Sequence, residues 1–213
     1  MNRRSFAAHS FTAVLAAVSH SSARAHKPAS GKDYFELDQP ATVEAPTGKV
    51  EVVEFFWYGC PHCNSFEPKL EAWLRQQPAH VAFRRVPVNF REEFVPQQKL
   101  YYALEAMNKV AEIHPKVFEA IHVHKQALNR DDLIFAFIER NGVDAAKFRG
   151  LYESFTVVTK ARRATQLQNA YRIEGVPTLG VAGRFYVDAE SAGSMDRALQ
   201  VVDRLVSEIR KSR

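Results

Sequence analysis

Cysteine is scarce: the 213 residues hold two, Cys60 and Cys63, three positions apart. That excludes a small disulfide-stapled scaffold, which needs an even set of well-spaced cysteines. Zinc is poorly served too, because it takes three or four ligands at matched spacings. No second cysteine pair exists, and His122 and His124, two apart, point to different sides of a helix. No metal site is expected. Long apolar runs are also missing; the stretch Phe11–Val18 falls well short of the ~20 residues that span a bilayer. Low-complexity tracts and internal repeats are absent. So is any strong charge bias, with 29 Lys and Arg against 24 Asp and Glu for a formal charge of +5. Arg84-Arg85 and Arg162-Arg163 are isolated basic pairs that read as solvated faces, so no nucleic-acid partner is expected. What remains, 46% hydrophobic and 25% charged, is ordinary for a globular domain, alone or with one insertion.

The first 25 residues stand apart. Arg3 and Arg4 form a basic start, Phe11–Val18 a short apolar run, and Ala23-Arg24-Ala25 an A-x-A-like cleavage site. Together they read as a signal peptide, residues 1–25; the competing reading is a disordered tail on a cytosolic protein. Arg3-Arg4-Ser5-Phe6 also looks like a twin-arginine signal, but the residues usual beside that motif are missing. The segment carries Arg3, Arg4 and Arg24 and no acid, so cleavage after Ala25 lowers the formal charge from +5 to +2. An exported protein lives where disulfides persist. A bridge between residues three apart closes too short a loop to staple a fold, so the pair suits redox switching better than stabilisation.

Residues 26–33 read as a loose leader and 34–37 as an edge strand. Val50–Trp57 is the clearest strand: short, β-branched, aromatic and almost continuously apolar, as a buried central strand should be. A helix is expected from Cys60, with Pro61 in its first turn and Phe66, Leu70, Trp73 and Leu74 forming an apolar stripe. Gln77-Pro78 ends it. A second strand follows at 81–88, its Pro87 implying an edge or a strand end. Residues 93–171 turn helical. Leu100, Leu104 and Met107 share a face; Val117, Ile121 and His124 form a short helix; Asp131 or Asp132 caps another; further helices are expected at 145–155 and 157–171. Strands return at 179–182 and 184–187 around Gly183 as a hairpin, and Ser194 or Asp196 opens a last helix. The order βαβ, helical block, ββα gives an α/β (α+β) fold class: a thioredoxin-like core with an inserted all-helical domain. The core takes residues 26–92 and 172–213, and the insertion takes 93–171. A doubly wound sheet fits less well, because the closing hairpin is antiparallel.

Cys60-Pro61-His62-Cys63 sits at the strand-to-helix junction. Spacing i, i+3 puts both sulfurs on one helical face. Cys60 lies at the helix N-terminus, where free N–H groups and the macrodipole favour an anion, and the thiolate is the nucleophile. Cys63, one turn inside, is placed to form or resolve a bridge and is expected to be buried. His62 either adds charge or a hydrogen bond to the Cys60 sulfur or faces solvent with little effect. Glu54 is the acid in an otherwise apolar strand; it is either buried and paired or holds its head in water at a strand end.

The strip Glu54-Phe55-Phe56-Trp57-Tyr58-Gly59-Cys60-Pro61-His62-Cys63, with Phe66-Glu67 after it, closely resembles the DsbA family of bacterial periplasmic thiol oxidases. Val88-Asn89-Phe90 and Gly175-Val176-Pro177-Thr178 resemble the same family, and the likeness covers essentially all of residues 34–211. It implies that Cys60 takes part in mixed disulfides with exported proteins bearing free thiols. It implies a redox-active Cys60–Cys63 disulfide in place of any cofactor. A membrane quinone-linked reductase resembling DsbB would reoxidise it. It implies a buried acid at Glu54 assisting proton transfer at Cys63; the family usually has a lysine nearby, where this chain has Arg85. It implies a cis Val176-Pro177 bond packed against the disulfide, with Val176, Pro177 and Thr178 binding an extended substrate. Isomerases of this type carry a dimerisation domain ahead of the core, and the stretch between Ala25 and Val50 is too short for one, so a monomeric periplasmic oxidase is expected. A reductase, a peptide-binding holdase and a glutathione-dependent enzyme are the alternatives; the last two have no need of paired cysteines.

Overall fold

The computed structural model describes residues 30–212. The signal reading of 1–25, its cleavage near Ala25 and the first part of the leader lie outside the described residues. The expected edge strand shrinks to Phe35–Glu36 (β1). Val50–Phe56 (β2) is buried at every position and leads through a tight turn into Pro61–Leu74 (α1). Val81–Pro87 (β3) follows. Five helices then run consecutively: Val95–Ala106 (α2), Val110–His122 (α3), Asp131–Arg140 (α4), Ala145–Tyr152 (α5) and Phe155–Ala170 (α6). Thr178–Val181 (β4), Phe185–Asp188 (β5), the short Ala189–Ala192 (α7) and Met195–Lys211 (α8) close the chain.

The sheet order is β1-β5-β4-β2-β3. β2 pairs parallel with β3 and antiparallel with β4, and β5 pairs antiparallel with β4 and β1. Pro87 thus ends an edge strand, where a missing donor is tolerated. The β4–β5 hairpin turns at Ala182 and Gly183, both with positive φ (52° and 68°), and the Arg184 N–H closes the turn onto the Val181 carbonyl at 3.0 Å. A Cβ on Gly183 would lie 2.4 Å from the Ala41 carbonyl, so only glycine fits. One face of the sheet buries Val50, Val52, Leu179 and Val181 against Phe66, Leu70 and Trp73 of α1 and Ala198, Val202 and Leu205 of α8. The other buries Val53 and Phe55 against the helical insertion, through residues such as Leu104, Val157 and Tyr171. Within the α1–α8 layer the two helices are tied by Trp73 Nε1–H, which donates to Asp203 Oδ1 at 2.8 Å.

Several boundaries differ from expectation, mostly because of capping. The helix expected from Cys60 begins at Pro61, since Cys60 keeps extended backbone (φ −81°, ψ 117°) and caps it. Ser154 accepts from the Val157 N–H, so α5 stops at Tyr152 and α6 starts at Phe155. Neither Asp131 nor Asp132 is the cap of α4; both occupy its first turn, where their charge suits the dipole. Ser194, not Asp196, caps α8. His124 falls just beyond α3. Arg84-Arg85, expected on a solvated face, is instead committed to buried acids. Arg84 Nη2 donates to Glu51 Oε2 at 3.1 Å, and Glu51 Oε1 accepts from the N–H groups of Glu44 and Ala45.

Candidate active site

β2 delivers its last side chains to a turn in which the Cys60 N–H donates to the Trp57 carbonyl at 3.0 Å. Trp57 stacks on Phe94 with ring centroids 4.1 Å apart, bracing the turn from the insertion side. Pro61 fills the first helical position, and the Cys63 N–H donates to the Cys60 sulfur at 3.3 Å. That bond satisfies one of the unpaired donors at the helix start with sulfur instead of the usual oxygen. Both cysteines are free thiols. Cys60 is 6% exposed, Cys63 is fully enclosed, and Pro61 and His62 face solvent.

Hydrogen bonding and burial drive the two thiols apart. Cys60 is lowered to about 6, first by the hydrogen bond from the Cys63 thiol, against the opposing effect of burial, then by the Cys63 and His62 N–H groups and by the His62 charge. Cys63 is pushed far up, first by burial, then by its hydrogen bond to Cys60 and by the charges of Cys60 and Glu54. One sulfur is an anion at neutral pH and the other holds its proton.

The opposite wall comes from the approach to β4. The Val176–Pro177 bond is cis, and the Val176 carbonyl oxygen lies 3.4 Å from the Cys60 sulfur, a contact that is a hydrogen bond only while Cys60 is protonated. Thr178 Oγ1–H donates to the Gly175 carbonyl at 2.8 Å, which ties the loop to itself. Val176 is half-buried, whereas Pro177 and Thr178 are buried. A groove of about 1030 Å³ runs beside this wall, lined among others by His62, Phe66, Lys69, Val176, Pro177 and Tyr186. Cys60, Pro61, His62, Cys63, Val176, Pro177 and Thr178 therefore lie together.

Glu54 lies on the α1 side of β2, fully buried, so its head is not in water. Its register partner on β3 is Arg85, whose Nε stands 3.0 Å from Glu54 Oε2 in an ion contact without a straight hydrogen bond. Arg85 also donates to Glu67 and Glu71 of α1. Burial raises Glu54 well above the usual carboxylate range, the Glu67 charge adds to that, and Arg85 opposes it. Sequence reasoning missed the far side of this cluster. His114 of α3 is buried, with Nδ1 2.8 Å from Tyr58 Oη and Nε2 3.1 Å from Glu67 Oε1. His122 of α3 holds the Tyr58 carbonyl through Nε2 at 2.8 Å. Nothing in the sequence tied these histidines to Tyr58 or to the redox pair, His122 having been weighed only as a metal ligand; the one clue was Glu67, in the strip that carries the resemblance. Among the described residues no group of three or more His, Cys, Asp or Glu is arranged to hold a metal.

A thioredoxin-like sheet, a dithiol at the start of the helix after its central strand and a facing cis-proline define a thiol–disulfide oxidoreductase with an inserted helical domain. The profile described as "DSBA-like thioredoxin domain" matches residues 51–200, and the chain belongs to that family. Among its relatives is the thiol:disulfide interchange protein DsbA of Burkholderia cepacia, 43% identical over 85% of this chain and 86% of that protein. That of Pseudomonas aeruginosa is 39% identical over 93% of this chain and 95% of its own length. The crystal structure of Pseudomonas aeruginosa DsbA superposes with a TM-score of 0.81, covering 85% of this chain and 94% of that one.

Proposed function

We propose that this chain oxidises thiols of exported proteins in the periplasm, using the Cys60–Cys63 disulfide as its only oxidant. A substrate thiolate attacks the Cys60 sulfur, the Cys60–Cys63 bond breaks, and its electron pair goes to Cys63, which takes a proton from Glu54 in this reading. A second substrate thiolate then attacks the substrate sulfur of the mixed disulfide. The substrate leaves with a disulfide, Cys60 leaves as a thiolate, and the enzyme becomes the dithiol. A membrane quinone-linked protein of the DsbB kind takes the two electrons and restores the disulfide. The reading rests above all on the Cys63 N–H capping bond to the Cys60 sulfur, because a stabilised thiolate is a good leaving group and makes the disulfide oxidising. His62 tunes Cys60, while Val176, Pro177 and Thr178 seat an extended substrate strand. The proposed boundaries are 26–92 and 172–213 for the core and 93–171 for the insertion, behind a signal segment cleaved near Ala25. The enzyme works as a monomer with no nucleic-acid partner. No helix among the described residues is long and apolar enough to cross a membrane.

Equilibration with glutathione buffers tests this. The expected outcome is a potential well above that of thioredoxin, about −270 mV, together with oxidation of a reduced two-thiol peptide. A potential at the thioredoxin level would make the chain a reductase.

A further inference from the structure

Three carboxyl groups converge on one guanidinium beneath the redox pair: Glu54 from β2, and Glu67 and Glu71 from α1, around Arg85 of β3. Glu71 is about half exposed, so water carries much of its charge. Glu54 and Glu67 are not so placed, with side chains 0% and 13% exposed. One guanidinium does not neutralise both. A buried carboxylate without full compensation takes a proton instead. The question is which of the two carries it.

Glu67 has a neighbour that Glu54 lacks. His114 Nε2 stands 3.1 Å from Glu67 Oε1, in a close but bent contact. The other ring nitrogen settles which proton His114 holds. Tyr58 is fully buried and its phenol is pushed far above the ordinary range, so it keeps its hydrogen and donates to His114 Nδ1. Burial also lowers His114, despite Glu67, so the ring is neutral and its one N–H lies on Nε2, toward Glu67. A line of donors therefore runs from Tyr58, two residues before Cys60, through His114 to Glu67. Arg85 then joins Glu67 to Glu54.

We propose that His114, supplied by the helical insertion, is a positioning residue that sorts charge between the two buried carboxyls: by holding Glu67 as the anion it leaves the proton on Glu54, the acid that acts on Cys63. This rests on the oxidoreductase reading of Cys63 for its consequence, though the charge sorting stands on the geometry. The directions agree with it, Glu67 being held below and Glu54 above the usual carboxylate range. Two carboxyls pushed apart in this way are the arrangement that separates a proton carrier from a fixed charge. The groups bearing on His114 are Tyr58 from the turn after β2, Glu67 and Glu71 from α1, Arg85 from β3 and Tyr101 from α2, and those bearing on Glu54 are Glu67, Glu71 and Arg85, with Cys63 above it. Without His114, Glu67 competes for the proton and Glu54 ionises more readily.

The test follows Glu54 by carboxyl carbon NMR across pH in the reduced full-length protein, for the parent, His114→Leu and His114→Gln. Leu removes the donor, whereas Gln restores an N–H near Nε2. In His114→Leu the Glu54 midpoint should fall by about one unit, as expected for relief of one nearby like charge. In His114→Gln it should stay close to the parent. The pH profile for resolution of a Cys60–glutathione adduct by Cys63 should shift with Glu54 in the same direction. An unmoved Glu54 midpoint in folded His114→Leu overturns the proposal. A second measurement needs no variant: nitrogen NMR of the parent should find His114 neutral with its hydrogen on Nε2, and an imidazolium or an Nδ1–H form also overturns it. Both readouts apply whether or not the chain oxidises peptides, so a reductase-like glutathione potential would refute the oxidase reading alone.

Discussion

Cys60 and Cys63 are the same side chain three residues apart, yet one is held near 6 and the other far above an ordinary thiol. The separation follows from placement: Cys60 ends its backbone extended and turns its sulfur onto the first N–H groups of α1, while Cys63 is enclosed one turn further in. Thiolate absorbance near 240 nm followed against pH should give a Cys60 midpoint of about 6. The order of the causes is testable as well. Cys63→Ala deletes the largest lowering contribution and should raise the midpoint more than His62→Ala. The latter removes only a solvent-facing charge and should cost less than about one unit. A parent midpoint at the free-thiol value of about 8.5, or a larger effect from His62→Ala, would contradict this account. Much of this chemistry was legible because it is contiguous: strand, turn, Pro61 and both cysteines lie in one short strip. Glu54's burial was one of two open readings, and only the parallel register with Arg85 decides it.

α3 belongs to the insertion but grips the core at the residue that leads into the redox turn. His114 takes the hydroxyl of Tyr58 and His122 takes its carbonyl, both at 2.8 Å. His122→Ala leaves that carbonyl without its partner, a loss of roughly 1–3 kcal/mol for a buried acceptor. The denaturant midpoint should fall with an unchanged slope, and amide exchange should quicken at Gly59 and Cys60 more than in the centre of β2. Equal exchange at the turn and in β2 would mean that α3 does not hold the turn. The sequence disclosed that α3 exists, through its apolar spacing, but not what it grips. The contact joins residues far apart in the chain, and a histidine within a helical pattern carries no mark of its partner. The shifted boundaries have a local cause instead: Cys60 and Ser154 cap helices whose interiors were plain from periodicity, while Ser194 is one of the two caps expected for α8.

Across the whole molecule the redox state and the stability of the fold are one equilibrium seen from two sides. Cys60 is depressed in the fold relative to the unfolded chain, so between about pH 6 and pH 8.5 the unfolded dithiol chain binds more protons than the folded one. The stability of the reduced protein therefore gains from the thiolate as pH rises through that window, and loses it as pH falls through about 6. The disulfide form has no thiolate there and lacks this contribution. Closing the short Cys60–Cys63 loop also changes stability, but loop closure does not depend on pH, so the slope isolates the thiolate. The carboxyls beneath the site are present in both forms and affect both curves. Denaturant unfolding of the dithiol and disulfide forms should thus give free energies whose difference moves in favour of the dithiol by about 1–2 kcal/mol between about pH 5 and pH 8, after discounting for solvent screening. Parallel curves would mean that the fold does not stabilise the thiolate, and the disulfide would then lose the drive that makes it an oxidant.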